Sequence, residues 1–259
     1  MRRGFVLLVV LCFAVIGFLY AAPVDVPTAA QGLEGSILQN KDFGLSVAGE
    51  ADFLSERELE TAESEVSAEF YTGKIILTLA DRFDAYAIFG QARGMEYKEK
   101  ILGSNVTFGL EDNLTWGLGL NALIYELKDY GIKFFGDGKY RAVNDIDYES
   151  LTVDGVRYNK SQLTLNKMDA DWEEWQVAFG VAKKFEYFMP YCGVKYSDVK
   201  VSAKATIGST TYDLGSTNSD NTIGLFIGCA IIPVKALSID LQGRFVDETA
   251  FTVKATYKF

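Results

Sequence analysis

The chain contains no histidine. Imidazole is the side chain whose unperturbed charge changes near neutral pH, so its absence excludes histidine general bases, histidine-assisted nucleophiles and histidine-ligated metals. No cofactor or metal is expected, and catalysis is confined to what carboxylates can do. Proline is scarce as well, with 4 residues against 24 glycines, while aromatics make up 14% and hydrophobic residues 49%. That is a strand-and-turn composition. Basic residues are too few to balance the acids, and the formal charge of -10 argues against phosphate-backbone binding, so nucleic acid is not an expected partner. Of the 3 cysteines, Cys12 lies in the apolar N-terminus, and Cys192 and Cys229 are too far apart for a metal motif.

Long apolar runs are missing after Ala22, so a membrane can be crossed only by strands. Before it, MRRGFVLLVVLCFAVIGFLYAA has the charged, apolar and small-residue order of a secretory signal, cut near Ala22, with an uncleaved anchor as the alternative. The expected division is a signal peptide over 1–22, a short periplasmic segment over 23–41 and one domain over 42–259.

Alternation of period two fills that domain. FGLSVAGEADF sets Phe43, Leu45, Val47, Ala51 and Phe53 against Ser46, Ala48, Glu50 and Asp52. LTWGLGLNALIYEL sets Trp116, Leu118 and Leu120 against Gly117, Gly119 and Asn121, and WEEWQVAFGVAKKF sets Trp175, Val177 and Phe179 against Glu174, Gln176 and Ala178. Cys192 and Cys229 both fall on apolar faces, as two small thiols or, where register allows, a cross-strand disulfide. Short turns near 81–84, 128–130, 184–189 and 233–236 alternate with long polar connections near 55–64, 98–113, 144–170 and 203–221. The pattern predicts an all-β, up-and-down antiparallel transmembrane β-barrel of about ten strands, with eight or twelve as alternatives. Asp137-Gly138 is a competing turn signal.

Period two alone does not distinguish a membrane barrel from a soluble one, but the aromatics and charges do. Trp116, Trp175 and Phe245 fall toward the long-loop rim and Tyr86, Tyr187 and Tyr191 toward the short-turn rim, as two aromatic girdles. Lys74, Arg93, Lys133, Asp137, Arg141, Glu174, Asp240, Arg244 and Lys254 fall on the opposite faces and are expected to line a wet or ion-paired lumen. Inward cations outnumber inward acids in this reading, so any conduction should favour anions. Asp240 and Lys254, on consecutive strands, are expected to meet. The acidic stretch SERELETAESE, opposed only by Arg57, reads as a solvated loop.

The last residues, FTVKATYKF, place Phe251, Val253, Ala255, Tyr257 and Phe259 on one face, ending on an aromatic. In this the chain resembles bacterial outer-membrane β-barrels of the small OmpA-like, Opa-like and OmpW-like kind. The resemblance implies location in the outer membrane of a Gram-negative-type bacterium, with outer-membrane lipids and the barrel-assembly machinery as partners. It also implies that these five residues are the assembly signal, and that no peptidoglycan-binding domain follows. The barrel enzymes of that membrane rest on a histidine, so no enzymatic activity is expected. The leading functional reading is a structural or surface-interaction role through the long loops, toward a surface ligand, a host or a phage. A narrow porin-like channel and a secreted soluble barrel binding an apolar ligand are the alternatives.

Overall fold

The computed structural model describes residues 22–35, 43–61, 63–101, 103–162, 167–207 and 209–259. The signal expected over 1–22 lies, up to Ala21, outside them. The described residues form one short α-helix, α1 (Thr28–Gln31), two single 3-10 turns (Lys128–Tyr130 and Lys160–Gln162) and fourteen strands. These are β1 (Phe43–Leu59), β2 (Ser64–Leu79), β3 (Phe83–Ile101), β4 (Ser104–Leu110), β5 (Asn113–Leu127), β6 (Ile132–Ile146), β7 (Tyr148–Val153) and β8 (Val156–Asn159), followed by β9 (Lys167–Lys183), β10 (Phe188–Ile207), β11 (Thr210–Asn218), β12 (Ile223–Val234), β13 (Leu237–Phe245) and β14 (Thr249–Lys258).

Ten of them make the wall. Each of β1, β2, β3, β5, β6, β9, β10, β12, β13 and β14 pairs antiparallel with the next, and β14 returns to β1 over the register Ser46↔Lys258 to Leu54↔Ala250. Closure removes the exposed edges that an open sheet would carry, which is a condition for spanning lipid. The turns on one side are short. Ala80 and Asp81 take left-handed φ of 53° and 48° between β2 and β3, and Gly131 takes 64° between β5 and β6. Asp137-Gly138 makes no turn, but lies in the middle of β6 opposite Asn121 and Leu120.

At the other end the expected long loops are largely more strand. Strands β1 and β2 run on to Leu59 and from Ser64, so the acidic stretch is a hairpin tip and not a loop. Strand β4 pairs β3 and then β7, which pairs β8, while β11 folds back on β10. The end of β11 meets β1 through a bridge between Leu59 and Ser219 and a bond from the Glu60 N–H to the Asn218 carbonyl. Of these extensions, β8 and most of β11 are exposed on both faces and carry no one-sided pattern, whereas β4 alternates Val106, Phe108 and Leu110 against Asn105, Thr107 and Gly109 within a stretch expected as a loop.

Inside this end sits an apolar core that includes Leu54, Phe70, Met95, Val143, Ile146, Tyr148, Trp172 and Val199. The glycines of the inner wall have a steric cause. A Cβ on Gly119 would lie 2.2 Å from the Tyr86 ring, and one on Gly228 would lie 2.4 Å from the Tyr191 ring. Inward rings therefore lie flat over glycines of the neighbouring strand. Gly119→Val is expected to destabilise the folded barrel by about 1–3 kcal/mol, the usual cost of overpacking. Urea titration in detergent micelles, followed by tryptophan fluorescence, measures this shift.

Candidate functional site: a filled lumen

The inner wall carries most of the side chains that alternation directs there, and most of its charges meet one of opposite sign. Lys74, Lys133, Asp137, Arg141, Glu174, Asp240, Arg244 and Lys254 are all buried inside the barrel. Asp240 and Lys254 stand opposite each other in register, 3.9 Å apart. Near mid-height, Arg141 donates through Nε and Nη2 to Glu174 Oε2 at 3.0 and 2.7 Å and through Nη1 to Asp52 at 3.1 Å, while Arg244 reaches the other Asp52 oxygen at 2.6 Å. The Arg141 guanidinium also lies 3.6 Å over the Phe70 ring, joining this network to the apolar core.

A second cluster was not legible in the sequence. Arg57 is fully buried and donates to Glu248, to the Ser219 hydroxyl at 2.8 Å and to the Ser197 carbonyl at 3.1 Å, and Lys195 bridges Asp247 at 2.7 Å and Glu248 at 2.5 Å. Arg57 therefore does not belong to a solvated acidic loop. A bulge between Leu54 and Arg57 shifts the register by one residue, which transfers odd-numbered positions of β1 from the outer to the inner face.

The lower lumen is closed by the chain itself. Residues 23–41 were expected as a periplasmic segment, yet the described part, 22–35, runs inside the barrel from mid-height to the short-turn rim. Asp25 is its anchor: Lys74 and Lys254 donate to it at 2.7 Å and Lys139 at 2.8 Å. The backbone is held at almost every step. Gln242 both accepts from the Val24 N–H at 2.7 Å and donates to the Val24 carbonyl at 2.9 Å, and Lys139 and Gln176 donate to the Pro23 carbonyl. The Thr28 N–H donates to Asp84 at 2.7 Å, Lys133 donates to the Ala30 carbonyl at 2.9 Å, and Lys184 donates to the Gln31 carbonyl at 2.7 Å. At the rim, the Glu34 N–H bonds the Lys235 carbonyl at 2.8 Å. A buried backbone needs such partners, and here side chains of the wall supply them.

The buried ionisable groups now balance. Arg57, Lys74, Lys133, Lys139, Arg141, Lys195, Arg244, Lys254 and Lys258 face Asp25, Glu50, Asp52, Asp84, Asp137, Glu174, Asp240, Asp247 and Glu248, nine of each sign. The expected excess of inward cations disappears because Asp25, Asp247 and Glu248 enter from outside the wall strands, and the basis for anion preference goes with it.

Three wall assignments are corrected by register. Lys74 pairs with Ile88 across β2 and β3, so Ile88 and its alternates Tyr86 and Ala92 share the inner face. Tyr86 is therefore no girdle residue; its hydroxyl donates to Asp137 at 2.6 Å. Arg93 faces outward at the long-loop rim, 3.8 Å from Asp112 and over the Tyr71 ring. Tyr191 lies inside, accepting from Gln242 at 3.1 Å. Trp116, Trp175 and Tyr187 are exposed on the outer wall, and Phe245 is half-buried there. Phe251, Val253, Ala255, Tyr257 and Phe259 form one outward face at the end of the wall. Cys192 stands opposite Ile227 and Cys229 opposite Pro190, and no disulfide links them.

The outer wall also shows Ile75, Leu118, Leu120, Val177, Val194 and Ile223 to the surroundings, each at least half exposed. Apolar groups outside and ion pairs inside invert the arrangement of a soluble barrel. This chain is an outer-membrane β-barrel. The secreted soluble barrel with an apolar ligand is excluded by the same inversion, since its ligand cavity would have to be this charged interior.

No family model matches the barrel. Among characterised proteins, it is similar to the major outer membrane porin of Chlamydia trachomatis serovar E, 24% identical over 127 residues, covering 34% of this chain and 32% of the porin. The serovar L1 porin is 22% identical over 247 residues, covering 68% of this chain and 61% of the porin. The matched region thus spans less than two thirds of either relative. Among solved structures, the outer membrane protease OmpT of Escherichia coli aligns over 87% of this chain and 96% of its own, at 10% identity and a TM-score of 0.46.

Proposed function

We propose that this barrel is a closed, non-enzymatic outer-membrane protein that serves as a structural platform and acts through the strands it presents at the cell surface. The observation that carries the reading is the occupied lumen: segment 22–35 below, the Arg141 and Arg57 networks above it, and the apolar core around Trp172 at the far end. Outer-membrane barrels place their longer connections outside the cell. Here those connections are β4, β7, β8 and β11. Strand β8 is exposed at every residue, and Thr210–Ser216 of β11 is exposed throughout. Exposed strands of this kind suit a surface ligand, such as a host or phage component.

The absence of enzymatic activity is supported by the lack of histidine and by the engagement of Asp25, Glu50, Asp52 and Glu174 with lysine or arginine, which leaves none poised as a general base. The name of the chlamydial relatives favours the channel reading, and the filled interior weighs against it. The outward terminal face of Phe251, Val253, Ala255, Tyr257 and Phe259 is the surface that the assembly machinery would read. Reconstitution in planar bilayers tests the proposal: the purified barrel should give no steady unitary currents above the bilayer background. Large, long-lived channels from the unmodified protein would overturn the closed reading.

A further inference from the structure

Ala22 is the innermost described residue of the lumen segment, 1% exposed, and its backbone nitrogen lies 3.2 Å from Glu174 Oε1. The two oxygens of that carboxylate have separate partners. Oε2 takes both bonds from Arg141, whose remaining arm is turned to Asp52, and Oε1 faces Ala22. A carboxylate fixed in this way, away from water, is a stronger site for an ammonium group with three donors than for one amide N–H. From Ala22 the chain descends without interruption to the short-turn rim, held by Gln242, the lysines around Asp25, Asp84 and Lys184.

We propose that export processing cuts the Ala21–Ala22 bond, one residue before the boundary expected from the sequence, and that the new α-ammonium of Ala22 docks on Glu174, so that the lumen holds a built-in receptor for the processed amino terminus. A signal peptidase is the class of enzyme required. Water adds across the peptide bond, the carboxylate stays on Ala21 and the ammonium on Ala22. The sequence around the bond suits the cut: an apolar run ends at Tyr20, Ala21 is small, and Pro23 falls at the second mature position instead of the first. The consequence reaches beyond trimming. An uncut leader leaves Glu174 Oε1 facing an amide, whereas the cut sets a charged donor on that oxygen, at the end of the Arg244–Asp52–Arg141–Glu174 chain. Cleavage and sealing of the lumen are thereby coupled in one molecule.

Two measurements on the unmodified protein test this, and one variant extends them. N-terminal sequencing of protein taken from outer membranes should read Ala22 first. An amine-acylating reagent should modify the Ala22 amine at least about tenfold more slowly in the folded barrel than in the unfolded chain, as expected for a group reached only through local opening. Adding two residues, Gln-Ser, between Ala21 and Ala22 moves the ammonium off Glu174. Val24→Cys, buried in the parent, should then react with a maleimide at least about tenfold faster than without the insertion. A mature terminus at any other residue, equal acylation of folded and unfolded protein, or an insertion that leaves Val24→Cys as protected as before would each overturn the proposal. If the extended variant does not assemble, judged by the gel mobility of unheated protein, the two native measurements still decide.

Discussion

Replacing Asp25 with Asn should release the N-terminal segment from the lumen while the ten-strand wall stays closed. Asp25 is the carboxylate that Lys74, Lys139 and Lys254 share, and all three lysines are almost wholly removed from solvent. Asn keeps the volume and one acceptor oxygen, but turns the other oxygen into an amide donor and removes the charge. Lys139 and Lys254 retain only the more distant Asp137 and Asp240, at 3.8 and 3.9 Å, and Lys74 keeps Glu50 at 2.7 Å. Removing one partner of a buried ion network typically costs about 3–5 kcal/mol, because the remaining charges stay desolvated. Segment 22–35 can avoid that cost by leaving, since water then reaches the lysines. The expected result is rapid proteolytic trimming of the segment in detergent-solubilised protein, with the gel mobility of the unheated barrel unchanged. Trimming no faster than in the parent would show that the backbone bonds from Gln242, Asp84 and Lys184 hold the segment without its anchor.

Arg57→Ala should act on the other end and on the wall itself. The guanidinium is fully buried and ties β1 to β10 through Ser197, to the residue after β11 through Ser219, and to the β13–β14 turn through Glu248. Its loss strands Asp247 and Glu248 with Lys195 as their one remaining cation, so about 3–5 kcal/mol of destabilisation is again expected. Here no segment can withdraw to relieve it. The deficit should appear as a lower urea midpoint for the whole barrel. Arg57→Lys should recover part of it, since the charge returns without the fork that reaches three separate segments. A midpoint equal to the parent's for Arg57→Ala would mean that the cluster contributes nothing net.

The wall was legible in the sequence because lipid on one side and ion pairs on the other impose strict alternation, and β1, β2, β5, β6, β9, β12, β13 and β14 keep it. It failed where a bulge resets the phase, as at Arg57. It failed also on β3, whose two faces both mix polar and apolar groups. There the charge of Arg93 suggested the wrong side, and only the pairing of Ile88 with Lys74 fixes the right one. Segment 22–35 escaped because APVDVPTAAQGLEG has no sustained period and little bulk, and its fold is imposed by the wall around it. One clue was present: the inward lysines at 74, 139 and 254 lacked enough acids among the wall strands, and a lone Asp25 precedes them all.

The bond from Lys254 to Asp25 spans 229 positions of sequence, and Lys254 belongs to the strand that closes the wall against β1. Segment 22–35 therefore has no complete seat until the last strand has paired. Contacts this distant are entropically slow to form and come late. Until then the lysine ring stands open to water, which spares the growing sheet the cost of desolvating unpaired charge. The insertion of Asp25 is then the step that dries the interior, and the beginning of the chain is the final piece to settle.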